Sequence, residues 1–143
     1  MTVQVDFHTG LADKLGHACR LVRKAYRAGH QVVVTGAPDQ LARLDGQLWI
    51  FEVGEFIPHV RLRRGQPVPP RLAVTPVWLA DVAAETAVDD VLVNLGPAPV
   101  AEPLKFQRVI ELVADDADDV AEGRQRWRQY VAAGISPSQH KAG

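Results

Sequence analysis

Three consecutive valines constrain this chain more than any other feature. Val32, Val33 and Val34 lie between Gln31 and Thr35, and the turn residues Gly36, Ala37 and Pro38 follow at once. So short a β-branched run suits a strand buried on both faces, the condition of an interior strand in a parallel sheet. Pro38 suits the first position of a helix, where its missing N–H costs nothing. Leu41, Leu44 and Leu48 then recur at helical spacing and read as the inward face of that helix.

The same pattern precedes the valines. Val3, Val5 and Phe7 alternate with Gln4 and Asp6, so residues 2 to 8 read as a strand. Thr9-Gly10 is expected to open a helix of about five turns. Leu11, Leu15, Ala18, Cys19, Val22, Ala25 and Tyr26 would share its buried face, and Gly29 its C-terminal cap. Strand, helix, strand, helix in this order makes a βαβ unit, which crosses over right-handed. Further strands are expected at residues 74 to 82, 91 to 95 and 106 to 113. A last helix is expected to open on Asp115, Asp116, Asp118 and Asp119, where acids complement the helix dipole, and to stop at Gly134. The expected fold is therefore a single α/β domain over residues 1–134, a mainly parallel twisted sheet with helices on both faces. Residues 135–143 read as a polar, partly mobile tail.

Composition narrows the function. The chain has 143 residues, enough for one domain that buries roughly 70% of its unfolded surface. Its apolar stretches, such as residues 31 to 38 and 91 to 100, fall short of the about 20 residues a bilayer span needs. No basic segment followed by an apolar one marks a secretory signal at the N-terminus. Cys19 is the sole cysteine, so no intramolecular disulfide forms. These features favour the cytoplasm. The net charge of −1 gives no whole-protein field for wrapping nucleic acid.

Most chemistry is missing. The turn Gly36-Ala37-Pro38-Asp39-Gln40 contains neither G-x-G-x-x-G nor G-x-x-x-x-G-K-[ST], so the fold is nucleotide-binding-like without a phosphate loop and no cofactor is expected. His8, His17, His30, His59 and His140 show no metal-ligand spacing, and no metal is expected. Cys19 reads as a small core residue rather than a nucleophile. No catalytic residue is assigned.

Two constellations stand out. Val120, Arg124, Trp127 and Val131 follow one another at spacings of four, three and four, with Arg128 and Tyr130 alongside. They read either as an amphipathic helix whose arginine stems snorkel outward, or as a site where arginine meets a carboxylate beside an aromatic wall. Trp49, Phe56, Ile57, Pro58 and His59 precede Arg61, Arg63, Arg64 and Arg71. They read as a core strand and an exposed loop (residues 61–71), as a protein interface, or as a direct single-stranded nucleic-acid site.

Three runs resemble the chi subunit of bacterial DNA polymerase III. They are Arg43-Leu44-Asp45-Gly46-Gln47-Leu48-Trp49, Phe56-Ile57-Pro58-His59, and the C-terminal run from Arg124 through Trp127, Arg128 and Tyr130 to Gly134. The resemblance implies a non-catalytic accessory subunit of the polymerase, with indirect contact to DNA. It implies a bridge between the psi subunit of the clamp-loader assembly and the C-terminal tail of single-stranded DNA-binding protein, which is acidic and ends in an aromatic residue with a free carboxylate. The tail site would fall on Val113, Arg124, Trp127, Arg128 and Tyr130. The psi-facing side would fall on Trp49, Phe56, Ile57 and Pro58. The chain departs from the family at two positions: Val120 stands where a lysine is expected, and Trp127 where a tyrosine is.

Overall fold

The computed structural model describes residues 3–50 and 56–142. They build a seven-stranded sheet in the order β3-β4-β2-β5-β6-β1-β7, with every pairing parallel. The strands are β1 (Gln4–Leu11), β2 (Val32–Thr35), β3 (His59–Leu62), β4 (Val77–Ala80), β5 (Val91–Asn94), β6 (Arg108–Ala114) and β7 (Ser138–Lys141). The helices are α1 (Lys14–Arg27), α2 (Pro38–Ile50) and α3 (Ala117–Ala132).

The valine run is the middle of this sheet. β2 pairs with β4 on one side and β5 on the other, and all three valines are fully buried. Val32 and Val34 face α1 and α2, packing with Ala18, Cys19, Val22, Leu41, Leu44 and Leu48. Val33 faces the other way, into a second core with Phe7, Trp78, Leu92, Val109 and Tyr130 of α3. Alternation across a single strand thus separates the α1–α2 layer from the α3 layer.

Three expectations are corrected. β1 runs on to Leu11 through Gly10, whose φ of 69° carries a break in register, so Leu11 is a strand residue buried in the core and not part of α1. The helix starts later, where the Asp13 side chain accepts from the Gly16 N–H at 3.0 Å, and it is four turns long. The segment after Gly134 was expected to be a partly mobile tail. Instead Ile135 is buried and residues 138–141 add an edge strand to β1. Its side chains are all exposed, so no apolar alternation announced it. Backbone pairing holds it, helped by Gln139 donating to the Thr9 hydroxyl at 3.0 Å and by His140 beside the Asp6 carboxylate at 3.3 Å. Finally, Arg61 is not on a free loop. It lies in β3, and its guanidinium donates to Asp81 at 2.7 Å and to the Leu62 carbonyl at 2.8 Å. Arg63, Arg64 and Arg71 remain exposed.

Candidate functional site

The last helix is anchored by charges that the apolar pattern conceals. Glu111 lies at the centre of β6, fully buried, where an unpaired carboxylate would be very costly. Arg126 of α3 reaches it from above and donates from Nε at 2.8 Å. The Tyr130 hydroxyl donates to its second oxygen at 2.7 Å, and Asn94 of β5 donates at 3.0 Å. Burial pushes the Glu111 carboxyl above its ordinary range, while the Arg126 charge and the donors from Tyr130 and Asn94 pull the other way. Burial and the Glu111 charge raise the Tyr130 phenol well above its ordinary value, so the phenol remains a donor.

Two further contacts fix the start of α3. Asp116 caps it, accepting from the Asp119 N–H at 3.0 Å, and Asp119 pairs with Lys14 of α1 at 2.6 Å. Gly123 lets the helix approach the sheet, because a Cβ there would lie 2.8 Å from a Val113 methyl. The inward face is therefore Gly123, Arg126 and Tyr130. Val120 and Trp127 lie at its margin, half-buried, and Trp127 packs on Phe7 with ring centroids 5.1 Å apart. Arg124, Arg128 and Val131 face solvent.

The five residues expected at the tail site therefore separate. Arg124, Trp127 and Arg128 form one accessible surface, two arginines a helical turn apart beside an indole. Among the described residues neither arginine is in an ion pair. Val113 and Tyr130 lie beneath it: Val113 is covered by Gly123, and Tyr130 is turned into the sheet by its bond to Glu111. Glu111 and Arg126 were not singled out from the sequence. The signal was a lone acid inside the apolar run Val109-Ile110-Glu111-Leu112-Val113, which must find a buried partner.

Trp49 and Ile50, which close α2, and Phe56 are 58%, 79% and 59% exposed. The Trp49 ring lies 5.3 Å from Phe56 and 4.9 Å from His59, forming a small aromatic surface at the end of α2. His59 is held between the Ile57 carbonyl at 2.7 Å and Asp45 at 2.8 Å. Ile57 is buried and Pro58 half-buried, so they support this surface more than they present it.

A crevice of about 560 Å³ opens at the C-terminal ends of β2 and β5, where nucleotides bind in related sheets. The backbone there is already engaged. The Ala37 N–H donates to Gln40, and Gly36 has the Leu95 side chain 3.0 Å from where a Cβ would stand. Pro38 contributes no N–H.

Fold and surfaces together define a parallel α/β domain that exposes two arginines beside an indole on α3 and an aromatic surface at the end of α2. Comparison with known proteins gives the family. The model of the DNA polymerase III chi subunit, HolC, matches residues 1–138. The DNA polymerase III subunit chi of Pseudomonas aeruginosa is 35% identical over 130 residues, covering 90% of this chain and 86% of that one. That of Haemophilus influenzae is 24% identical over 127 residues, covering 88% and 85%. Among solved structures, the C-terminal domain of S. cerevisiae Dbp5, in a complex with Gle1 and IP6, superposes with a TM-score of 0.59 at 11% identity. It covers 99% of this chain and 90% of its own, a likeness of fold alone. The chain belongs to the DNA polymerase III chi subunit family, and is a replication accessory subunit of that polymerase. Among the described residues no helix is long and apolar enough to cross a membrane.

Proposed function

We propose that this chain is a non-catalytic cytoplasmic subunit that links the clamp loader, through a psi partner, to the acidic C-terminal tail of single-stranded DNA-binding protein. The observation that carries the reading is the surface of α3. Arg124 and Arg128 stand one turn apart without an ion-pair partner among the described residues, and Trp127 lies beside them, packed on Phe7. Two guanidinium groups beside an indole suit a peptide that ends in an aromatic ring and a free carboxylate. A charge-assisted hydrogen bond of this kind is worth about 1.5–3 kcal/mol, so a short tail can be held by few contacts. Weak contacts suffice, because tethering raises the local concentration of the loader at coated template.

The exposed Trp49–Phe56 surface supports the psi half of the reading. Aromatic side chains left more than half exposed suit the centre of a protein interface. It lies at the end of α2, which packs on the face of the sheet opposite α3, so the two partners would not compete.

The test is calorimetry with a peptide copying the tail, against the wild type and Arg124→Ala. The expected result is binding that weakens at least about tenfold in a variant of unchanged thermal stability, the loss of one charge-assisted contact. A folded wild type that takes up no peptide at moderate salt would overturn the tail reading.

A further inference from the structure

The net charge of −1 hides a strong separation of charge. α1 carries five Lys or Arg and no acid within fourteen residues, so the rest of the chain stands at −6. One of the five, Lys14, is turned inward to Asp119 and to the Leu95 carbonyl. The other four, Arg20, Arg23, Lys24 and Arg27, recur at spacings of three, one and three. That spacing keeps them on one outer stripe about 10 Å long, opposite the buried Ala18, Cys19 and Val22. Arg20, Lys24 and Arg27 are exposed and Arg23 is partly so. Arg23 and Arg27 have contacts within the chain. Arg20 and Lys24 have no ion pair among the described residues.

We infer that this stripe of α1 is a docking surface for the phosphate backbone of single-stranded DNA. Protein interfaces depend on a few buried aromatic or aliphatic anchors. The stripe offers none, since Leu15, Leu21, Ala25 and Tyr26 of α1 pack against the core. A surface of cations alone fits a regular polyanion, whose binding rests on counterion release and needs no pocket. Its place in the fold supports this. α1 and α3 cover opposite faces of the sheet, so the α1 stripe stays open when α3 is engaged. The inference is independent of the tail reading: it rests on α1, while the tail site rests on α3.

The test is fluorescence anisotropy of a labelled oligothymidylate of about 20 nucleotides, with the full chain, the Arg20→Gln/Lys24→Gln double variant and an Arg63→Gln/Arg71→Gln control. Both double variants alter exposed side chains, so the unfolding midpoint should be unchanged. If Arg20 and Lys24 each meet a phosphate, they contribute about 1.4 to the slope of log affinity against log salt. Wild-type affinity should then drop at least about sevenfold as salt rises from about 50 to about 200 mM, and the Arg20→Gln/Lys24→Gln variant should lose that part of the slope. The control should behave like the wild type. Binding of the tail peptide should be the same for the wild type and the α1 variant, whatever its strength. The inference is overturned if the wild type does not bind at low salt, if the α1 variant keeps the wild-type slope, or if the Arg63/Arg71 control is the variant that loses binding. It is equally overturned if the wild type binds vesicles of anionic lipid but no oligonucleotide.

Discussion

The Arg126 guanidinium meets the Glu111 carboxylate at 2.8 Å in a place where their side chains are 2% and 0% exposed. A helix that presents arginines to solvent is thus fastened to its strand by another arginine, two residues from Arg124 and two from Arg128. Burying two charges gives little net stability, but it fixes the helix in one rotation, since Arg126 and Tyr130 reach the two oxygens of Glu111 together only when that face of α3 is turned to the sheet.

Removing one partner is therefore more harmful than removing both. Arg126→Met leaves a buried, uncompensated carboxylate and should destabilise the fold by about 3–5 kcal/mol. Glu111→Gln combined with Arg126→Met should cost less than the sum of the single changes. Urea denaturation of the three variants measures the coupling.

Gly96 approaches the same arginine. Its φ is 76°, and a Cβ there would lie 2.7 Å from Arg126 Nη1. Gly96→Ala should destabilise by about 1–3 kcal/mol, through backbone strain and displacement of the guanidinium. Gly29→Ala shares the positive φ, of 85°, but has open space around it, and should cost less. Comparing the two by denaturation separates crowding from strain.

Acid should loosen the β7 edge. His8 of β1 bonds to His17 of α1 at 2.9 Å and lies 5.6 Å, ring to ring, from His140 of β7. Burial, then the His17, His140 and Arg108 charges, lower its pKa from 6.5 to about 4, against a smaller pull from Asp6. A base with a lowered folded pKa takes its proton more readily when unfolded. Stability should hold above pH 6.5 and fall as the pH drops from 6.5 towards 4. His8 is partly exposed, so the loss should be no more than about 1–2 kcal/mol. His8→Gln should flatten the decline, as read from denaturation midpoints at a series of pH values.

The family lysine can be restored. Val120 is half-buried at the margin of α3, one turn before Arg124. A lysine stem can cover the same apolar surface while its ammonium reaches water. Val120→Lys should tighten the tail peptide by about two- to fivefold, the worth of one exposed charge. Calorimetry against the wild type measures it.

Trp49 separates function from stability. It is 58% exposed, so Trp49→Ala should change the unfolding free energy by about 1 kcal/mol or less, while co-purification with a psi partner should be lost. Retention of the partner by the variant would remove Trp49 from that interface.

The elements a reader could find in the sequence are those with a strong period. The valine run, the leucines of α2, the buried face of α1 from Leu15 onward and the capped start of α3 all lie where the spacing puts them, because one buried face must repeat with the element's own geometry. The aromatic surface at Trp49 and the arginines at 124 and 128 were legible too, as residue types that stand out from their neighbours.

What the spacing could not decide is which way a residue turns when the pattern is mixed. The stripe Val120–Arg124–Trp127–Val131 is a true helical stripe, yet α3 buries Gly123, Arg126 and Tyr130 instead. That choice depends on Glu111, a residue of another strand, and on the room that Gly123 leaves for Val113. β7 is decided in the same way, since an exposed polar segment becomes a strand only where β1 offers a free edge. The local chain determined the strongly periodic elements and the family. Partners distant in sequence decided which charges are buried and which are left exposed, because only in the folded state does burial require each of them to be paired.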